Sequence, residues 1–151
     1  MVDDRGLHGL SCRKSELRLT RHSQLNDIIW RAVKRAQIPA PKEPIVLSRI
    51  DGKRPDGATL IPWKRGKPLA GDVTVPDTYA ASCLAETAES AEAAANKAAA
   101  NKILKYSTLV TTHHFVPISV ETGGPWIPES SEFIAERGKR ISQITLESLE
   151  T

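Results

Sequence analysis

Two aspartates and a lysine, set at wide intervals, carry the most specific chemistry available to this chain. Arg54-Pro55-Asp56 is followed after fifteen residues by Asp72-Val73-Thr74, and then by Lys102-Ile103-Leu104-Lys105-Tyr106. Asp56 and Asp72 read as lying on adjacent strands, and Lys102 on the helix that follows. Two carboxylates can hold a hard divalent cation against a phosphate, and an ammonium beside them can stabilise developing charge or help ready a water molecule. If the turn Lys64-Arg65-Gly66-Lys67-Pro68 reverses the chain, paired cross-strand positions bring the carboxylates about 5 Å apart. The expected ion is Mg²⁺ or Mn²⁺, and the expected reaction is hydrolysis of a phosphodiester. A plainer alternative stands beside it: Pro55-Asp56-Gly57 is a turn sequence, and Asp72 a cap or an edge ion pair.

The elements that must position these groups are legible from periodicity. Residues 1–21 show no firm repeat and read as irregular or partly disordered. A helix is expected from Ser23, its N-cap, with Leu25, Ile28, Ile29, Val33 and Ala36 on one face, ending before Pro39 and Pro41. Ile45–Ile50 is a β-branched run closed by Asp51-Gly52, Ala58–Trp63 a second strand and Leu69–Val75 a third. From Glu86 to about Leu109 the chain is rich in alanine, and Ala-Ala-Ala-Asn-Lys occurs in tandem at 93–97 and 98–102. Acids lead this helix and lysines close it, which complements its dipole and is the bland account of Lys102 and Lys105. Phe115–Val120 is a fourth strand, and Ser130 is expected to cap a last helix carrying Phe133, Ile134, Ile141 and Ile144. The order α-β-β-β-α-β-α predicts an α/β (α+β) fold with a mixed four-stranded sheet flanked by helices.

Composition narrows the classes. A chain of 151 residues suits one domain. Its apolar runs are too short to span a bilayer, no signal peptide opens it, and no membrane partner is expected. Cys12 and Cys83, far apart, describe no disulfide scaffold and point to a reducing compartment. Residues 1–70 hold 15 Lys and Arg against 7 Asp and Glu, whereas residues 71–151 hold 6 against 11. A basic half suits a phosphate backbone, and is equally the solvated face of an ordinary protein. Trp63 and Trp126 could stack on bases, though packing is the commoner use. His113-His114 forms no ligand pattern.

Taken together, Arg-Pro-Asp, Asp-Val-Thr and Lys-x-x-Lys-Tyr resemble the restriction-enzyme-like endonuclease domain of site-specific non-LTR retrotransposons, a branch of the PD-(D/E)xK superfamily. That domain follows the reverse transcriptase in the parent polyproteins. The similarity runs from Leu7 to about Ile144, with Arg21-His22, Leu25-Asn26-Asp27, Glu43-Pro44, Val116-Pro117 and Gly124-Pro125-Trp126 in family-like order. It implies a restriction-endonuclease-like fold over residues 22–146, a stump of a zinc knuckle over 1–21 and a tail over 147–151. It further implies Asp56 and Asp72 as ligands of Mg²⁺, Lys102 as the catalytic lysine and Glu43 as an accessory acid. Lys105 and Tyr106 would support position and packing, although the choice between Lys102 and Lys105 stays open. The chain departs from the superfamily at Thr74, which takes the usual lysine position of the Asp-x-Lys strand.

The implied activity is nicking of DNA in the nucleus to prime reverse transcription, with Lys53, Arg54, Lys64, Arg65 and Lys67 flanking the site and holding the backbone without reading sequence. The chain contains no reverse transcriptase, so a fragment, a truncated copy or a stand-alone derivative is expected. Two rival outcomes are an inactive nucleic-acid-binding remnant and a decayed product. His8 and Cys12 match the His-x-x-x-Cys half of the family's zinc knuckle, whose first two ligands are cysteines lying upstream. His22 is a third possible donor, or equally a residue at the start of the first helix that helps shape the nuclease face. Three donors leave a structural zinc site one short.

Overall fold

The computed structural model describes residues 16–80 and 83–145 of the chain. Its elements are α1 (Glu16–Arg35), β1 (Gly57–Lys64), β2 (Lys67–Thr74), α2 (Leu84–Glu89), α3 (Ala93–Lys105), β3 (His114–Ser119) and α4 (Pro128–Thr145), with single 3₁₀ turns at Ile45–Leu47 and Ser107–Thr111. The sheet is mixed and three-stranded, in the order β1-β2-β3. β1 pairs antiparallel with β2, and β2 parallel with β3. Helices flank it, as expected, but the sheet lacks the fourth strand.

The missing strand is Ile45–Ile50. Ile45, Val46 and Ile50 are exposed, and residues 45–47 wind into a 3₁₀ turn. The edge of β1 is taken instead by the preceding segment. Ala58 N–H donates to Pro41 O at 3.2 Å, Leu60 N–H to Pro39 O at 2.8 Å, and Glu43 N–H to Asp56 O at 2.9 Å. Proline has no N–H to return, so this segment accepts from β1 without completing a ladder. The prolines expected only to stop a helix also cover the sheet edge.

α1 begins at least seven residues before Ser23, which lies exposed within it, so the helix also crosses the expected domain boundary at residue 22. Its buried stripe is Asn26, Ile29, Trp30 and Val33, spaced at helical intervals, while Ile28 faces solvent. Trp30 is completely buried against the sheet, where Gly57 and Gly71 pair and leave room for the indole. A Cβ added at Gly57 would lie 2.2–2.5 Å from three ring atoms of Trp30. The main core joins Ile29, Trp30 and Val33 to Leu69, Val73, Val116, Ile118 and Phe133.

The expected long helix breaks at Ser90–Glu92, with Glu92 at φ +71°, to give α2 and α3. Ala95 and Ala99 pack with Ile127 in a second cluster. Here alanine acts as more than a helix former, because small side chains let α3 lie close to its neighbours. No side chain at the N-cap closes α3. Buried Glu121 does so from across the fold, its Oε1 accepting from Ala95 N–H at 3.1 Å. α4 starts at Pro128, as suits a first helical turn. Ser130 is not its cap. Its Oγ accepts from Ser119 N–H at 2.9 Å and donates to Pro117 O at 3.1 Å, tying α4 to the outer edge of β3.

Candidate active site

The central strand β2 is covered on both faces, with Leu69 to Val73 all buried. Strand alternation sends Val73 into the main core and Asp72 to the opposite side, toward α3. Gly57 pairs with Gly71 and Ala58 with Ala70, so continuing the register by one residue sets Asp56 opposite Asp72. The two carboxylates that the sequence placed on neighbouring strands therefore converge.

Each acid has a basic partner from a helix. Lys102 of α3 forms an ion pair with Asp72 Oδ2, and only 4 % of the Asp72 side chain is exposed. Burial, followed by repulsion from Asp56, raises the Asp72 pKa, while Lys102 and Lys105 pull the other way. Asp72 Oδ2 is buried without a hydrogen bond of ordinary geometry, so the ammonium is what balances it. Asp56 Oδ2 accepts from Val73 N–H at 2.7 Å and lies 3.3 Å from His22 Nε2. That same nitrogen is 3.1 Å from Val73 O. The hydrogen bond to Asp56 is the largest cause of an upward shift in the His22 pKa, opposed chiefly by burial.

Tyr106, fully buried, completes the frame. Its hydroxyl donates to Arg54 O at 2.7 Å and approaches Asp72 Oδ1 at 3.4 Å. It thus fastens the end of α3 to the Arg54-Pro55-Asp56 loop. Burial and then the Asp72 charge raise its pKa, keeping the phenol protonated. Lys105 points elsewhere, its ammonium 4.6 Å from the centre of the Tyr106 ring, and burial followed by the Lys102 charge lowers its pKa. Of the two candidate lysines, Lys102 is the one on the acid.

The remaining expected residues divide by position. Glu43 faces Arg54, Oε2 to Nη2 at 2.5 Å, and does not join the acidic pair. Lys53 is exposed and lies 4.0 Å from Asp51. Lys64, Arg65 and Lys67 form the β1–β2 turn, at the far end of β2 from Asp72. The five residues from Lys67 to Asp72 amount to about 17 Å of strand, so this turn does not flank the carboxylates. Trp63 meets Phe133 at a tilt of 54° with ring centres 5.8 Å apart, and Trp126 packs on the core. His8 and Cys12 lie outside the described residues.

His22, grouped by sequence with a partial zinc site, instead meets Asp56. Its position continues the buried stripe of α1 backward by one turn from Asn26, and that spacing was the available signal. A cleft of about 430 Å³ opens beside it, lined among others by Arg18, His22, Thr74 and Lys102.

Among the described residues, no group of three or more His, Cys, Asp or Glu side chains is arranged to hold a metal ion. The local donors are nevertheless of the kind a hard ion takes: the Asp56 and Asp72 carboxylates and the Val73 carbonyl, all oxygen. Mg²⁺ commonly needs only one or two carboxylates and keeps several waters. The residues present fit that ion better than they fit zinc, which favours nitrogen and sulfur. No described helix is long and apolar enough to cross a membrane. No family model and no curated protein matches the chain.

Proposed function

We propose that this chain is a Mg²⁺-dependent DNA endonuclease domain of the restriction-endonuclease-like type, nicking one strand in the nucleus as part of a retrotransposon's reverse-transcription machinery. The observation that carries the reading is the convergence of Asp56, Asp72 and Lys102 from a loop, a strand and a helix. Asp56 and Asp72 would hold the ion, with the Val73 carbonyl beside them. Mg²⁺ bound there supplies Lewis-acid stabilisation of the charge on phosphorus. Lys102, already against Asp72, is placed to meet a phosphate oxygen and stabilise the charge gathering on it. Tyr106 fixes the loop that bears Asp56, and His22 orients the Asp56 carboxylate. Arg18, Thr74 and Lys102 line the adjoining cleft of about 430 Å³, where a sugar-phosphate segment would lie.

The test is nicking of supercoiled plasmid in Mg²⁺ by the wild type and by Asp56→Ala, Asp72→Ala and Lys102→Ala. Loss of cleavage of at least about 100-fold in each variant is expected, as for removal of a group that stabilises a transition state. Wild-type protein that binds DNA but never nicks supports a second reading, a binding module on the same scaffold. What favours that alternative is the engagement of each acid by a basic side chain, His22 on Asp56 and Lys102 on Asp72.

A further inference from the structure

The cationic turn that lies away from the acids forms a pocket of its own. Arg65 at φ +52° and Gly66 at φ +74° give the hairpin its tight two-residue turn, which projects Lys64 and Lys67 from the strand ends. Lys67 Nζ donates to Val110 O at 2.8 Å, holding the turn against the segment that leads into β3. Between them is a cavity of about 250 Å³ lined by Lys64, Arg65, Lys67, Val110, His113, His114 and Phe115. No acidic side chain lines it. Among the described residues, none of the three basic side chains has an ion-pair partner.

Burial lowers the pKa of both histidines, and for His114 the charges of Lys64 and Arg65 add to the effect. Neutral imidazoles still offer N–H donors. Beyond Lys64 and His114 the wall turns acidic, where Glu129, Glu132 and Glu136 of α4 border a neighbouring cavity. A polyanion laid on the turn is therefore bounded on that side by repulsion.

We infer that the β1–β2 turn and residues 110–115 form a second phosphate-binding site, which takes backbone phosphates of a nucleic acid at a distance from the acidic pair. Identifying the polyanion as DNA rests on the function proposed above; the pocket itself does not. One strand of a duplex carries a phosphate about every 3.4 Å of axis. About 17 Å of strand between Lys67 and Asp72 then corresponds to about five nucleotides. The turn would hold DNA in register while the acids act on another part of the same backbone, without reading sequence.

The experiment compares the full chain with a Lys64→Gln/Arg65→Gln/Lys67→Gln variant, titrating a 20-base-pair duplex over a series of KCl concentrations. A drop of about 2.7 in the log–log salt slope is expected, since each of three lost phosphate contacts removes about 0.9. The charge-retaining variant Lys64→Arg/Arg65→Lys/Lys67→Arg should restore the slope. In parallel, the imidazole resonances of His113 and His114 in the wild type are followed with the same duplex and with inorganic phosphate alone, so the result does not depend on a variant's folding. Resonances that move with the duplex support the site. An unchanged slope, or resonances that move with inorganic phosphate but not with the duplex, overturns it. An unchanged slope in a protein that nicks removes the pocket and leaves the nuclease reading. A reduced slope in a protein that never nicks does the reverse.

Discussion

Replacing Lys102 with methionine keeps the length of the side chain and removes its charge, leaving Asp72 buried beside another acid. Breaking a buried ion pair from one side costs about 3–5 kcal/mol. The figure here is smaller, because a quarter of the Lys102 side chain is exposed and Lys105 also acts favourably on Asp72. A loss of about 2–3 kcal/mol is expected, lowering Tm by about 8 °C for a chain of this size. Asp72→Asn/Lys102→Met should recover much of it, since neither group then needs a counter-charge, and a double-mutant cycle isolates the pair. The pH dependence has a definite sign. The Asp72 pKa is raised in the folded state, so as pH falls the folded chain takes up that proton before the unfolded chain does. The carboxylate thus lowers stability as pH rises from about 4, the unfolded value, through the raised folded value. Removing Lys102 deepens this loss and carries it to higher pH. Urea unfolding of the four proteins from pH 4 to 8 measures both effects. A coupling below about 0.5 kcal/mol, or a Lys102→Met deficit that does not grow with pH, would refute the placement of this pair.

Other perturbations test the frame. Gly57→Ala drives a Cβ into the Trp30 ring and should cost about 3 kcal/mol by overpacking, read by chemical denaturation; a loss under 0.5 kcal/mol would remove Trp30 from that contact. Tyr106→Phe strips the Arg54 carbonyl of its donor and should cost about 1–2 kcal/mol, with slower nicking at unchanged DNA affinity. Glu121→Ala removes the carboxylate that closes α3 and should cost about 1 kcal/mol, with faster amide exchange in the first turn of α3 as the check. The His22 pKa is raised, so its contact with Asp56 stabilises most below about 6.5, the unfolded value, and fades as pH rises through the folded value. His22→Gln should flatten that part of the stability profile, whereas an identical profile would deny the contact.

The acidic pair was legible because two strands joined by a short turn leave few registers, and the Gly57–Gly71 pairing realises one that opposes the acids. The resembled motif pointed to the stretch Lys102–Tyr106 and left Lys102 and Lys105 open, since they lie one helical turn apart; the fold sets Lys102 against Asp72. The edge of the sheet was not legible. A run of Ile-Val-Leu has strand propensity, but propensity is silent on whether the site beside β1 is already filled, and Pro39–Glu43 fills it. The start of α1 was misread because Ser23 looks like a cap wherever it stands, while here the helix continues through it. Glu121 and Ser130 were invisible as ties, because each acts on an element distant in the sequence. The expected basic flank at Lys64–Lys67 was placed by composition, which says nothing of which end of a hairpin a turn occupies.

The proline-bearing border of β1 bears on how copies of this protein meet one another. An open strand edge is a template on which a second chain can add itself, and long exposed edges seed fibrils and swapped dimers. With Pro39 and Pro41 already accepting the outward N–H groups of Leu60 and Ala58, that side offers an incoming backbone little to grip. Crowding at high concentration should therefore leave β1 unextended.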